Sequence, residues 1–280
     1  MDKIFIIGAG TMGAGIAQLF LMSGYHIVLY DVNEQYLKVG KEKIKNALNR
    51  MVEKGKLSEN DHALMLEKFS TTVDLNEAVD CQLVIEAIVE NLEIKKDVFA
   101  KLDKICNENT ILATNTSSLS VTEIAKGLSK SEKVVGMHFF NPVHAMKLVE
   151  IVKGLPTSED TVVKLENICE TLQKTGIVVK EGPGFVVNRI LVPMINEAIG
   201  ILADGLTDER SIDTAMKFGS NHPMGPLELG DLIGLDVVLA VMEVLYDEFK
   251  DPKYRPHPLL VKYVRAGWLG RKSKRGFYHY

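Results

Sequence analysis

The sequence predicts an α/β protein, an N-terminal Rossmann-type doubly wound sheet followed by a smaller all-α C-terminal domain. Three observations predict it. A short apolar strand runs into Gly8-Ala9-Gly10-Thr11-Met12-Gly13 and then into an apolar-periodic helix. Apolar runs and helical stretches alternate through the first two-thirds of the chain, as repeated βα units require. Beyond Glu181-Gly182-Pro183-Gly184 helical periodicity persists with almost no strand signal, which sets the expected domains at 1–183 and 184–280.

The glycine-rich turn comes first in order. Lys3-Ile-Phe-Ile-Ile precedes it, a helix with Ala14, Ile16, Ala17, Leu19 and Phe20 follows, and a second strand, His26-Ile-Val-Leu-Tyr, ends at Asp31. Strand, glycine turn, helix, strand and acid in that order make a dinucleotide-binding unit. Gly8 permits the tight turn, Gly10 lets backbone approach a pyrophosphate, and Gly13 lets helix and strand pack closely. Thr11 and Met12 open the helix, whose unpaired N–H groups and positive dipole end suit phosphates. Asp31 accepts hydrogen bonds from a ribose diol and repels a 2′-phosphate, so the expected cofactor is NAD(H) over NADP(H). A plain strand-turn-helix packing motif is the alternative.

Asn33 is expected to cap a long charged helix reaching about Lys54, and Ser58 a second one, joined through Gly55. Residues 83–87 and 111–115 are continuous apolar runs of buried parallel type, separated by helices around 92–106 and 121–127. Residues 134–140, 148–153 and 177–180 read as further strands. In the second domain helices are expected from about 185 to 203 with a kink at Pro193, after Thr207-Asp208, at 227–233 and at 236–249.

Composition narrows the classes. The chain has 280 residues, 46% hydrophobic and 25% charged, with a formal net charge of −4. That suffices for two modest cores, and the mild acidity argues against nucleic acid as a partner. Cys81, Cys106 and Cys169 are odd in number and lack metal-type spacing, so buried thiols in a reducing compartment and no metal are expected. Asp2 and the glycine turn interrupt any signal-peptide core, and residues 190–203 contain Pro193, Asn196 and Glu197. That stretch reads as a buried helix and not a membrane span, which makes the cytoplasm the expected compartment. A helical domain with apolar faces beyond its own needs is expected to pair two subunits.

A second informative stretch is Val134-Val-Gly-Met-His138-Phe-Phe-Asn141-Pro142-Val-His144-Ala-Met-Lys-Leu-Val-Glu150-Ile-Val. Both flanks are strand-like around an Asn-Pro turn signal. A hairpin centred on residue 144 sets position 138 opposite position 150, where Cβ atoms are about 4.5–5.5 Å apart. The loop is long enough for that register to slip by one or two residues. A carboxylate among Leu148, Val149, Ile151 and Val152 is costly to desolvate without a partner. A His–Glu couple meets that cost, and its imidazole can take a proton from an alcohol. A core histidine bonded to backbone is the alternative. His144, in the loop, is expected to be solvent-exposed and inert.

Thr114-Asn115-Thr116-Ser117-Ser118 follows a strand at the edge where open α/β sheets bind ligands, although Ser and Thr there also cap helices. Glu86 and Glu90 sit at or just past the end of the preceding strand, Lys95 lies on the next helix, and Asn188 stands early in the long helix after the Gly-Pro-Gly. Lys43, Arg50 and Lys54 form one stripe on a helix, either a polyphosphate contact or a solvated, salt-bridged face.

These stretches together resemble the short-chain 3-hydroxyacyl-CoA dehydrogenase family. The resemblance covers essentially the whole chain. Besides the glycine turn it includes Asn115-Thr-Ser-Ser118, His138-Phe-Phe-Asn-Pro142, Leu148-Val-Glu150, Pro183-Gly-Phe-Val-Val-Asn-Arg189, Pro223-Met-Gly-Pro226, Asp231-Leu-Ile-Gly-Leu-Asp236 and the closing Gly270-Arg-Lys-Ser-Lys-Arg-Gly-Phe-Tyr278. It implies reversible NAD(H)-dependent interconversion of 3-hydroxyacyl-CoA and 3-ketoacyl-CoA, with 3-hydroxybutyryl-CoA and acetoacetyl-CoA the expected pair, in fatty-acid or butanoate metabolism. It implies His138 as acid/base and Glu150 as its orienting partner, with Ser117 and Asn188 near the reacting oxygen. Glu90, Lys95 and Asn115 match nicotinamide-side contacts, Asp31 the ribose contact, and Arg50 and Lys54 the region that receives the CoA phosphates. It also implies a homodimer formed through the helical domain. Rival readings are a dehydrogenase of free 3-hydroxy acids, a non-catalytic NAD-binding protein and a redox-responsive regulator.

Overall fold

A computed structural model describes residues Lys3–Tyr280, so Asp2, expected to interrupt a signal-peptide core, lies outside the described residues. The chain divides after Glu181 into two compact units. The first contains β1 (Lys3–Ile7), α1 (Thr11–Met22), β2 (His26–Tyr30), α2 (Glu34–Glu53), α3 (Glu59–Glu67), β3 (Phe69–Thr72), β4 (Leu83–Glu86), α4 (Leu92–Ile105), β5 (Ile111–Thr114), α5 (Val121–Ala125), β6 (Val134–Phe139), β7 (Leu148–Lys153), α6 (Glu159–Thr171) and β8 (Thr175–Lys180).

The strands form one eight-stranded sheet in the order β3-β2-β1-β4-β5-β6-β7-β8. Every neighbouring pair is parallel except β6 with β7. Covered on both faces, the central strands bury nearly every side chain: Ile4–Ile7 of β1, all of β4 and all of β5. Each such aliphatic side chain stabilises the fold by roughly 1.5–3 kcal/mol. The helices start where short polar side chains take up the orphan N–H groups of the first turn. Asn33 accepts from Gln35 N, Ser58 from Asp61 N, Asn91 from Ile94 N, Ser120 from Glu123 N and Ser158 from Thr161 N.

β3, α6 and a last helix in the second unit have no counterpart in the expected elements. β3 is a four-residue edge strand, Phe69-Ser-Thr-Thr, paired with β2 from Ile27↔Phe69 onward. The second unit holds α7 (Val187–Ala203), α8 (Glu209–Gly219), α9 (Pro226–Ile233), α10 (Leu235–Phe249) and α11 (Pro258–Arg265). Pro193 lies inside α7, and Asp208 caps α8 through Ser211 N. Ile195, Ile199, Leu227, Leu235, Met242, Leu245 and Leu260 form its core. Two buried carboxylates tie its loops: Asp213 accepts from Leu227 N and Glu228 N, and Asp231 from Phe277 N and Tyr278 N.

Candidate active site

In a sheet of this topology the carboxyl ends of β1, β4, β5 and β6 share one edge, and the candidate residues of the first unit other than Arg50 and Lys54 gather there. At the end of β1, Gly8 has φ of +102°, and a Cβ on it would come within 2.6 Å of the Ala87 carbonyl oxygen. A Cβ on Gly13 would collide with the Gly8 carbonyl, which is the close helix–strand approach expected of that glycine. Gly10 differs, because nothing lies within 4 Å of a Cβ placed there. Its φ of −68° is ordinary, so the missing side chain leaves open space that the backbone conformation does not require.

No side chain caps α1, in contrast to α2, α3, α4, α5 and α6. Its first turn, at Thr11, Met12 and Gly13, therefore presents donors and dipole to an anion. Asp31 closes the cradle. Its carboxylate accepts from Ala9 N at 2.9 Å and from Asn33 N at 3.2 Å. A carboxylate accepts about four hydrogen bonds, so two positions remain for a ribose diol. A backbone cradle, an uncapped helix start and a positioned acid fit the adenosine diphosphate portion of NAD.

The hairpin of β6 and β7 has the expected register, His138 opposite Glu150. Nδ1 of His138 lies 2.7 Å from Oε2 of Glu150. The carboxylate is 0% exposed and the histidine 5%. Burial on that scale makes the pair a mutual requirement, since either group alone would sit desolvated without its charge partner. The Phe140 ring lies against the imidazole, with centroids 4.5 Å apart. The bond from Nδ1 to the carboxylate orients the imidazole, as a neighbouring carboxylate does for a catalytic or ligand histidine. Asn115 accepts from Phe139 N at 2.9 Å, so its side chain staples the end of β5 to the strand that carries His138. His144 is exposed, as expected.

Glu90, Lys95 and Ser117 come together around an acid that sequence reasoning placed only by position. Glu86, fully buried, accepts from Lys95 Nζ at 2.6 Å, Thr114 Oγ1 at 2.7 Å and Ile88 N at 2.8 Å. Lys95, 1% exposed, also lies 3.3 Å from Glu90. Glu90 in turn accepts from Thr116 Oγ1, from Ser117 N at 2.9 Å and from Ser117 Oγ at 3.4 Å. Lys95 therefore sits inside a two-carboxylate network that holds the loop of Asn115 and Ser117. The signal for Glu86 was present in the sequence: an apolar strand ending in an acid, with a lysine nine residues on, needs that lysine as a counter-charge.

Arg50 and Lys54 stand apart from this cluster, at the far end of α2. Gly40 packs α2 against Ala9 of the glycine turn, and the helix carries Lys54 roughly 20 Å onward. Lys43, Arg50 and Lys54 are exposed, as on a solvated face, and belong to no ion pair among the described residues. Asn188 is the second residue of α7, in the other unit. Cys81, Cys106 and Cys169 are free and buried.

Comparison with known proteins decides the family. Residues 3–182 match the model of the 3-hydroxyacyl-CoA dehydrogenase NAD binding domain, and residues 184–280 that of the 3-hydroxyacyl-CoA dehydrogenase C-terminal domain. The chain belongs to the 3-hydroxyacyl-CoA dehydrogenase family. It is thus an oxidoreductase acting on a CH–OH group, with an NAD-binding first domain. Among the relatives, 3-hydroxybutyryl-CoA dehydrogenase of Clostridioides difficile is 53% identical over 278 residues, 99% of either chain. The mitochondrial hydroxyacyl-coenzyme A dehydrogenase of Rattus norvegicus is 42% identical over all of this chain and 91% of its own. The crystal structure of (S)-3-hydroxybutyryl-CoA dehydrogenase from Ralstonia eutropha superposes with a TM-score of 0.96 at 47% identity, covering 100% of this chain and 99% of that one. No helix among the described residues of this family member is long and apolar enough to cross a membrane.

Proposed function

We propose that this chain interconverts 3-hydroxybutyryl-CoA and acetoacetyl-CoA in fatty-acid or butanoate metabolism, with His138 and Glu150 as the general acid/base pair. The observation that carries the reading is the 2.7 Å His138–Glu150 couple, buried in the sheet of an NAD-binding domain. The names of relatives at 53% and 50% identity over nearly the full chain support the substrate.

Bound NAD supplies the acceptor for the hydride that leaves C3, or in the form NADH its donor. In the oxidative direction His138 removes the 3-hydroxyl proton through Nε2 as the C3–H bond breaks. Glu150 holds Nδ1–H and stabilises the imidazolium that results. In reduction the imidazolium returns that proton to the alkoxide oxygen. Ser117, fixed through Glu90, donates toward the oxygen where charge develops. Asn188 joins that role through the family resemblance. Asn115 aligns the end of β6, and Glu90 and Lys95 order the nicotinamide-side loop. Arg50 and Lys54 supply cations for the CoA phosphates.

Leu206 and Phe218, 77% and 85% exposed on the second unit, support a homodimer through that unit. Three free thiols suit the cytoplasm.

The test is NADH consumption with acetoacetyl-CoA by wild type, His138→Gln and Glu150→Gln. Each variant is expected to lose about 10²–10⁴-fold in kcat with NADH affinity within about twofold of wild type. Turnover of free acetoacetate in preference to the thioester, or wild-type kcat in His138→Gln, overturns the reading.

A further inference from the structure

The eight-residue connection from β6 to β7 is mostly exposed, with Val143 as its buried residue. Such a loop lets strand register slip, and a slip of one residue would turn His138 and Glu150 to opposite faces. A side chain from a distant turn holds this loop. Lys174 sits between α6 and β8, and its ammonium donates to the carbonyl oxygens of Val143 at 2.8 Å, Met146 at 2.7 Å and His144 at 3.5 Å. Those bonds engage all three of its N–H groups. Among the described residues no carboxylate pairs with it, and burial pushes its pKa down. An ammonium partly desolvated for three carbonyls is doing a job that a solvated lysine would not.

Further contacts hold both sides of this clamp. Lys174 N donates to Cys169 O at 2.8 Å, Thr175 N donates to Lys147 O at 2.7 Å, and Gln173 takes φ of +55° to make the turn. On the loop, Ala145 N and Met146 N both donate to Pro142 O. Val143 packs so closely on α1 that a Cβ on Gly15 would come within 3.0 Å of its methyl.

We propose that Lys174 is a positioning residue for the His138–Glu150 pair, fixing through three carbonyl bonds the loop that sets their register. The inference rests on the acid/base reading above. Misplacement of a reacting group by about 1 Å can cost ~10²-fold in rate.

Lys174→Met removes all three donors at similar volume, and Lys174→Gln retains two donors without the charge. The expected result is kcat reduced about 10–100-fold in the Met variant and less in the Gln variant, with the KM for NADH within about twofold. In the His138→Gln background, Lys174→Met is expected to cost little more, because residues acting through one another are non-additive. Unchanged kcat, or losses that multiply in the double variant, overturns the proposal. So does a variant whose melting temperature falls by more than about 10 °C, which assigns Lys174 to stability. Failure of the acid/base reading shows separately, as full turnover in His138→Gln alone.

Discussion

Gly10 and Gly13 are three residues apart in one turn, yet the structure gives them opposite liabilities, and alanine at each position tests that difference. At Gly13 a methyl group meets the Gly8 carbonyl oxygen well inside contact distance and the carbon behind it at 2.9 Å, whereas ordinary contact begins near 3.4 Å. Relief of the carbon alone requires α1 to retreat by about 0.5 Å, and the oxygen demands more. Overpacking of this kind costs about 1–3 kcal/mol, with larger values where backbone must move. At roughly 2–4 °C per kcal/mol, Gly13→Ala should melt about 2–12 °C below wild type. At Gly10 the same methyl meets nothing within 4 Å, and the φ of −68° suits alanine. Gly10→Ala should melt within about 2 °C of wild type but bind NADH at least tenfold more weakly, which corresponds to about 1.4 kcal/mol. Thermal denaturation without cofactor and NADH fluorescence titration read the two effects apart. Equal melting losses in the two variants, or unaltered NADH affinity in Gly10→Ala, would refute the assignment of Gly10 to the pyrophosphate.

Asp31→Ala removes the acceptor for the ribose diol and the charge that opposes a 2′-phosphate, so the ratio of NADH to NADPH kcat/KM should fall by about tenfold or more in steady-state assays. Arg50→Ala and Lys54→Ala should each raise the KM for acetoacetyl-CoA several-fold while leaving the KM for NADH unchanged, and added salt should shrink the difference. Burial pushes the Cys81 and Cys106 thiols up to about 11 and the Cys169 thiol up to about 12. The folded state therefore keeps protons that the unfolded state gives up, and stability is full below about pH 9 and falls as pH rises toward 12. Urea titrations at pH 8 and pH 10.5 should show the decline, and a triple Cys→Ala variant should lose that part of the pH dependence.

Much of this fold is legible because its signals are local. Asn33, Ser58, Ser120 and Asp208 each stand at the start of an expected helix, and each accepts the first-turn N–H that its side chain suits. Edge strand β3 is different: Phe69 is its single large apolar residue, and the strand exists because β2 already offers its backbone. α6 has a readable signal, Ser158 ahead of buried Val162, Leu165, Ile168 and Cys169, which the strands on either side of it overshadow. α11 opens on Pro258 and buries Leu260, a pattern too short to separate from a loop. Within the candidate site, what the sequence leaves unread are the tertiary partners. Glu86 is meaningful once Lys95 and Thr114 surround it, and Lys174 bonds to backbone carbonyls about thirty residues away, which no periodicity records.

The reversal of one strand explains why the His138–Glu150 pair was readable when those networks were not. Functional side chains of a parallel sheet stand on separate loops beyond the strand ends, and their mutual distances depend on how each loop folds. β7 returns antiparallel, so its third residue lies beside the fifth residue of β6 inside the sheet, and ladder spacing fixes the separation. That placement lets a carboxylate be fully buried yet partnered, because its counterpart arrives by hydrogen-bond register and not by loop conformation. The same logic limits what can replace it. Exchanging the two residues, His138→Glu with Glu150→His, preserves the pair and its burial but moves the imidazole one strand away from Asn115 and the β5 edge. If the pair were a structural device, the exchanged protein should fold and turn over normally. If the pair is the proposed acid/base, with the imidazole needed at the end of β5, the exchanged protein should melt within about 5 °C of wild type and yet lose at least 10²-fold in kcat.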